Sequence, residues 1–203
     1  MLVEKQYKKL KYLLALPQNF DESASYPVIF YLHGAGGRGD DLDIIKNDEI
    51  FSKNPCLDEF VVVAPQCYAD TWFDLFEQLT EFCDFVNDSA FCDKRRFYAT
   101  GVSMGGYACW QLLMSRPDAF AAALVCCGGG MYWNAGKLKN LPVMAFHGAK
   151  DLVVLPEESE KMVNAIGDSA RLVVYPEADH DCWTPTYSDE ANFRWLLSHS
   201  KDI

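Results

Sequence analysis

Apolar runs of strand length alternate along this chain with segments in which apolar residues recur at helical spacing. The runs lie at residues 10–16, 28–32, 60–64, 97–100, 121–127, 143–146 and 172–175. The helical segments lie at residues 75–86, 107–114, 156–166 and 189–198. Such alternation is typical of a parallel sheet covered by helices on both faces. We therefore predict an α/β fold with a doubly wound, mostly parallel sheet of about seven strands.

The composition favours one globular domain over residues 1–203. Half of the residues are apolar, which is enough for a substantial core. The longest mostly apolar stretch, residues 120–133, is shorter than the roughly 20 residues that a membrane-spanning helix needs. The lysine-rich residues 1–11 are not followed by the apolar core of a secretion signal. We expect a cytoplasmic protein without a membrane partner, whose eight cysteines remain thiols.

Charge and cysteine spacing argue against two further classes of partner. The formal net charge is -11, whereas nucleic-acid binding relies on lysine and arginine side chains that neutralise phosphates. The cysteines lack the paired spacing of a zinc site. We expect no nucleic acid, no metal and no cofactor. The predicted partner is a small-molecule substrate, bound by a monomer or a homodimer.

A glycine-rich segment around Ser103 joins the predicted strand 97–100 to the predicted helix 107–114. Its sequence is Gly-Val-Ser-Met-Gly-Gly over residues 101–106. Small residues two positions before and after a serine allow a sharp turn that exposes the hydroxyl above the sheet edge. Such a hydroxyl becomes nucleophilic only beside a general base and oxyanion donors. The same segment also fits a serine that merely caps the following helix. The partners of Ser103 decide between these interpretations.

Two such partners follow later strands. Asp151 comes just after strand 143–146, and His180 comes just after strand 172–175. Ligands of open parallel sheets bind where the carboxyl ends of the strands meet. The chain order serine, aspartate, histidine is that of hydrolases with this kind of turn. We predict that Ser103 is the nucleophile, that His180 is its base and that Asp151 orients the base.

Other residues could take these roles. Asp179 and Asp181 flank His180, but neighbours in an extended loop point away from it. His33 and His147 each precede a glycine at a strand end. A buried histidine that bonds to the loop backbone is the more common arrangement there.

Several blocks of the sequence resemble the α/β-hydrolases. The blocks are residues 31–36, 63–66, 101–106 and 146–151, together with His180. The chain is most similar to small esterases without a lid, namely the dienelactone hydrolase and carboxylesterase-like groups and feruloyl-esterase-like proteins labelled predicted peptidases. The resemblance implies a carboxylic ester hydrolase that forms an acyl-enzyme. A helix, a strand and a loop already fill the segment between Ser103 and Asp151, so no lid domain fits.

The resemblance and the glycine-rich loop 33–39 also indicate an oxyanion hole. Glycines allow the main chain to approach a substrate closely. The residue after the nucleophile gives one N–H and this loop gives the other, so we expect Met104 and Ala35 to be the donors. A phosphate-binding loop would need a Gly-Lys-Ser/Thr ending, which is absent here.

Aromatic residues in the predicted loops of the catalytic edge suggest the substrate. Trp72, Trp133 and Trp183 lie there, with Gln66 beside them, and we expect these four residues to contact substrate. Core or rim packing would explain each aromatic equally well. Trp183, three residues after His180, is the strongest candidate. An aromatic wall suits small or aromatic acyl esters.

Two other functions fit the same residues. One is a serine peptidase of the prolyl oligopeptidase kind, which would share the Ser-His-Asp triad. A gating domain is not evident in the sequence, which disfavours it. The other is a binding protein on a former hydrolase scaffold, which the filled triad positions disfavour.

Overall fold

The computed structural model describes residues 1–202, over which the chain forms eight strands and six α-helices. The strands are β1 (Leu2–Tyr7), β2 (Leu10–Ala15), β3 (Tyr26–Leu32), β4 (Val61–Pro65), β5 (Cys92–Val102), β6 (Ala122–Cys126), β7 (Val143–Gly148) and β8 (Ala170–Tyr175). The helices are α1 (Glu49–Ser52), α2 (Phe76–Asn87), α3 (Met104–Ser115), α4 (Glu157–Ile166), α5 (Trp183–Ser188) and α6 (Glu190–Leu197).

All strands belong to one sheet with the order β1-β2-β4-β3-β5-β6-β7-β8. The six strands β4-β3-β5-β6-β7-β8 pair in parallel. At one edge, β2 pairs antiparallel with both β1 and β4. The predicted doubly wound and mostly parallel sheet is therefore confirmed. Because the parallel strands share one direction, the loops that follow β3, β5, β7 and β8 meet at the same edge.

The core has two layers, one on each face of the sheet. Helices α2, α3 and α4 cover one face, with Phe82, Leu112 and Met162 among their buried residues. Helices α1, α5 and α6 cover the other face, where Ile50 and Phe193 are buried. Both faces of the central strands are therefore dry, which explains their nearly continuous apolar sequences. Among residues 1–202, no helix combines the length and apolarity needed to cross a bilayer.

The additional strand, β1, lies outside the predicted set. It occupies the sheet edge, and most of its side chains are exposed. Its sequence mixes polar and apolar residues, because an edge strand of this kind packs little against the core. Helices α1 and α5 are also additional, since both are short and lie outside the predicted helical segments.

Candidate active site

The backbone around Ser103 forms the predicted tight turn between β5 and α3. Ser103 has φ 53° and ψ -118°, a conformation that is costly for a residue with a side chain. A Cβ atom on Gly105 would lie 2.0 Å from the carbonyl oxygen of Leu32, and one on Gly101 would lie 2.3 Å from that of Gly105. Both positions therefore require glycine. The Ser103 side chain makes no capping hydrogen bond to α3, which leaves its hydroxyl free for another partner.

That partner is His180. The hydroxyl of Ser103 lies 2.9 Å from Nε2 of His180, and Nδ1 of the same ring lies 2.7 Å from Oδ2 of Asp151. Because a carboxylate only accepts, Nδ1 carries the proton and Nε2 can accept from the hydroxyl. The side chain of His180 is 21% exposed, whereas that of Asp151 is buried. The structure thus brings the three predicted residues into one row of hydrogen bonds.

The surroundings of Asp151 favour its charged form. Its Oδ1 accepts from the backbone N–H groups of Val153 at 2.8 Å and Val154 at 3.0 Å. Burial acts to raise the pKa of Asp151, but the hydrogen bonds from His180 and these amides lower the pKa below its ordinary value. The alternative acids serve elsewhere, because Asp179 is exposed and Asp181 accepts from Thr184 at the start of α5. Asp151 is therefore the carboxylate placed to stabilise an imidazolium.

The glycine-rich loop after β3 lies against the nucleophile. A Cβ atom on Gly34 would lie 3.6 Å from the Cβ of Ser103. Within residues 1–202, the N–H groups of Ala35 and Met104 donate to no protein acceptor. Both groups belong to the first residue of a helical segment, where backbone donors are ordinarily left free. The two predicted oxyanion donors are therefore available to a ligand.

His33 holds this loop in place and is not an alternative base. Its Nδ1 donates to the carbonyl of Gly34 at 2.6 Å, and its Nε2 accepts from the N–H of Cys67 at 2.9 Å. Burial lowers the pKa of His33 to about 4, so the ring stays neutral near pH 7. His33 is thus a buried histidine that bonds to the loop backbone.

The substrate contacts predicted for Gln66 and Trp72 are wrong. Both side chains are buried. The amide of Gln66 donates to the carbonyls of Gly37 at 3.0 Å and Asp41 at 2.8 Å, while the indole of Trp72 donates to that of His33 at 3.1 Å. They therefore brace the glycine-rich loop from behind.

The other two predicted aromatics differ from each other. Trp133 is 73% exposed, packs edge-on against Tyr132 and does not line the cavity at Ser103. Its predicted substrate contact is therefore not supported. Trp183 lines that cavity and meets the ring of His180 edge-on, with 5.4 Å between ring centroids.

A cavity of about 450 Å³ opens beside Ser103 and His180. Its lining includes residues that the sequence analysis missed, namely Tyr31, Ile44, Asp48, Glu49 and Val153. Asp48 accepts a hydrogen bond from the hydroxyl of Tyr31 at 2.8 Å. Burial raises the pKa of Asp48 to about 6, and the neighbouring charge of Glu49 adds to the effect. The sequence carried no signal for this wall, because Tyr31 lies in an apolar strand and Asp48 in an ordinary polar loop.

The same site holds a group that could bind a metal. One ligand atom each from Cys127, Asp151 and His180 lies within 4.8 Å of the others. However, the imidazole and the carboxylate already share a hydrogen bond. A side-chain hydrogen bond with Cys182 and burial both raise the pKa of the Cys127 thiol well above its usual value. Since metals bind the thiolate, the donor set fits proton transfer better than metal binding.

Esterases and peptidases are among the proteins to which this chain is similar. The sequence model of the prolyl oligopeptidase family matches residues 66–140. A crystal structure of a thermostable esterase superposes with a TM-score of 0.84 at 27% identity, over 99% of this chain and 63% of that one. The chain has the α/β-hydrolase fold. The resemblance found in the sequence is thereby confirmed.

The curated relatives of this chain include a feruloyl esterase and a dipeptidyl-peptidase. "Probable feruloyl esterase C" of Aspergillus niger is 26% identical over 189 residues, which cover 87% of this chain and 69% of that protein. Dipeptidyl-peptidase 5 of Aspergillus oryzae is 29% identical over 122 residues, which cover 51% of this chain and 16% of that protein. The esterase matches extend over more of both chains. They support the prediction of a serine hydrolase of the carboxylesterase type.

Proposed function

We propose that this α/β-hydrolase cleaves carboxylic esters of small or aromatic acids through an acyl-enzyme on Ser103. The observation that carries the proposal is the unbroken row of hydrogen bonds from Ser103 through His180 to Asp151, which opens into the cavity. The proposal includes a single domain that acts in the cytoplasm, as a monomer or homodimer and without a cofactor.

The chemistry follows from the proton positions. His180 takes the hydroxyl proton through Nε2 while the oxygen of Ser103 attacks the ester carbonyl carbon. The resulting oxyanion accepts from the N–H groups of Ala35 and Met104. As the oxyanion collapses, the carbon–oxygen bond to the alcohol breaks and His180 protonates the leaving alkoxide. Water then repeats the sequence on the acyl-enzyme and releases the acid.

Hydrolysis of p-nitrophenyl acetate and butyrate tests this proposal. Purified protein is expected to release p-nitrophenol from both esters, because a small acyl group enters an open cavity without a lid. An absence of turnover on both esters, in protein shown to be folded by circular dichroism, would contradict it.

Peptide hydrolysis is the second candidate, favoured by the match to the prolyl oligopeptidase family. The same row of residues cleaves amides in peptidases of this kind, so geometry alone does not separate the two substrates. The test is a dipeptide p-nitroanilide assayed beside the esters. If its kcat/KM equals that of the best ester, the peptidase assignment takes precedence.

Asp48 is expected to select the acyl group. Its Oδ2 accepts from Tyr31, while Oδ1 has no protein partner within residues 1–202 and is free for a substrate hydroxyl. The same cavity is lined by the aliphatic side chains of Ile44 and Val153 and by the indole of Trp183, which suit a flat ring. The carboxylate of Asp48 is then a hydrogen-bond acceptor beside that ring. In Asp48→Asn, the ratio of kcat/KM for methyl 4-hydroxycinnamate over methyl cinnamate should fall about tenfold, the typical value of a hydrogen bond to a charged group.

The pH dependence of that ratio is a further readout for Asp48. Its carboxyl is protonated below about pH 6 and charged above it. The ratio should therefore rise through pH 6 in wild type and stay flat in Asp48→Asn. Glu49→Gln is the matched comparison: it should keep the rise in the ratio but move it to lower pH, because the charge of Glu49 helps to raise the pKa of Asp48. An unchanged ratio in Asp48→Asn would show that the hydroxyl binds elsewhere.

A further inference from the structure

A second histidine, His147, lies beside the same carboxylate oxygen of Asp151 that His180 contacts. It occupies the end of β7, and its side chain is fully buried. Its Nε2 lies 2.9 Å from the carbonyl oxygen of Val154 and 3.3 Å from Oδ2 of Asp151. Both neighbours are acceptors, so this hydrogen-bond network assigns the proton to Nε2.

The other nitrogen of the ring is held as firmly. Nδ1 lies 2.7 Å from the hydroxyl of Ser159, a buried residue of α4. With the ring proton on Nε2, Nδ1 can only accept, so it takes the single hydroxyl proton of Ser159, whose oxygen also lies 3.0 Å from the carbonyl oxygen of Gly128. Polar groups at both nitrogens fix the plane of the imidazole, as the outer partners of catalytic and metal-binding histidines do.

We propose that His147 is a positioning residue for the triad and acts through Asp151. The ring holds the carbonyl of Val154, and the N–H of Val154 donates to Oδ1 of Asp151. His147 therefore fixes the turn that presents the acid, while its own N–H points toward the oxygen that His180 uses. This inference rests on the proposed function, because it presumes that Asp151 orients the base.

His147 cannot replace His180 as the base. Both of its ring nitrogens already have partners within the buried network, and neither partner is Ser103. Its influence must pass through the position of Asp151. Small displacements of a catalytic group suffice for a large effect, since about 1 Å of misplacement can cost on the order of 100-fold in rate.

Two amide substitutions test the proposal with matched chemistry. In His147→Gln the longer side chain can place its NH₂ group where Nε2 lies, whereas the amide of His147→Asn reaches only the position of Nδ1. We expect kcat to fall about 100-fold in His147→Asn and less than about tenfold in His147→Gln, with KM within twofold of wild type in both. Equal losses in the two variants, or a loss confined to KM, would overturn the proposal.

A double-mutant cycle with Asp151→Asn separates positioning from general destabilisation. If His147 acts through Asp151, adding His147→Asn to Asp151→Asn should lower kcat by less than twofold further. A second loss of about 100-fold in that background would mean that His147 acts independently, and the proposal would fail. Should His147→Asn not fold, His147→Gln with its smaller expected loss completes the same cycle. Wild-type kcat in Asp151→Asn would instead refute the triad of the proposed function.

Discussion

Replacement of Ser103 by alanine is expected to lower kcat for p-nitrophenyl butyrate on the order of 10⁶-fold, the cost of losing the nucleophile of a triad. It should also abolish covalent labelling by a fluorophosphonate probe. Alanine keeps the β-carbon, so the strained turn and the packing of α3 should persist. The nearby thiol of Cys127 is not ready to replace the hydroxyl, because its pKa is strongly raised.

Ser23→Ala is the control for both measurements. Ser23 lies in the turn before β3, on the opposite edge of the sheet, where its hydroxyl donates to Asp21. Its kcat and labelling should match those of wild type. Probe labelling that persists in folded Ser103→Ala would place the reactive residue elsewhere. Loss of labelling with retained turnover would show that ester hydrolysis does not pass through Ser103.

The elements that place the triad could be predicted because each has a strict local requirement. The turn at Ser103 needs glycine on both sides, as the carbonyl contacts at Gly101 and Gly105 show. Central strands buried on both faces must be almost wholly apolar, so their ends are visible in the sequence. Asp151 then follows directly, because it comes just after the buried strand β7. His180 comes after β8, a partly buried edge strand that the short apolar run 172–175 marks in the sequence.

The walls of the cavity could not be predicted in the same way. Whether a loop side chain faces substrate or core depends on how separate loops pack together, which no local pattern records. Trp72 and Gln66 lie at the correct edge but turn inward to satisfy carbonyls of the neighbouring loop. Tyr31 and Asp48 are brought together only by the fold. The sequence predicts that His147 bonds to the loop backbone, but only the structure shows that its ring lies close to Asp151.

Replacement of Asp151 by asparagine is expected to lower kcat on the order of 10⁴-fold, as in triads whose base is forced into the wrong tautomer. The carboxylate site is asymmetric. Two backbone N–H groups, from Val153 and Val154, point at Oδ1. The amide oxygen of asparagine will occupy that position, because an NH₂ group there would face two donors. The NH₂ group is then left facing Nδ1 of His180.

A donor at that position removes the base without moving it. Nδ1 of His180 must accept from the amide, so the ring proton moves to Nε2, which can then no longer take the proton of Ser103. We expect KM to stay within about twofold, since Asp151 is buried and does not line the cavity. Asp179→Asn is the matched control, because this exposed acid lies in the loop that carries His180 and its side chain accepts from the N–H of Asp181, which asparagine can also do. A comparable loss of kcat in Asp179→Asn, with little change in Asp151→Asn, would transfer the orienting role to the flanking acid.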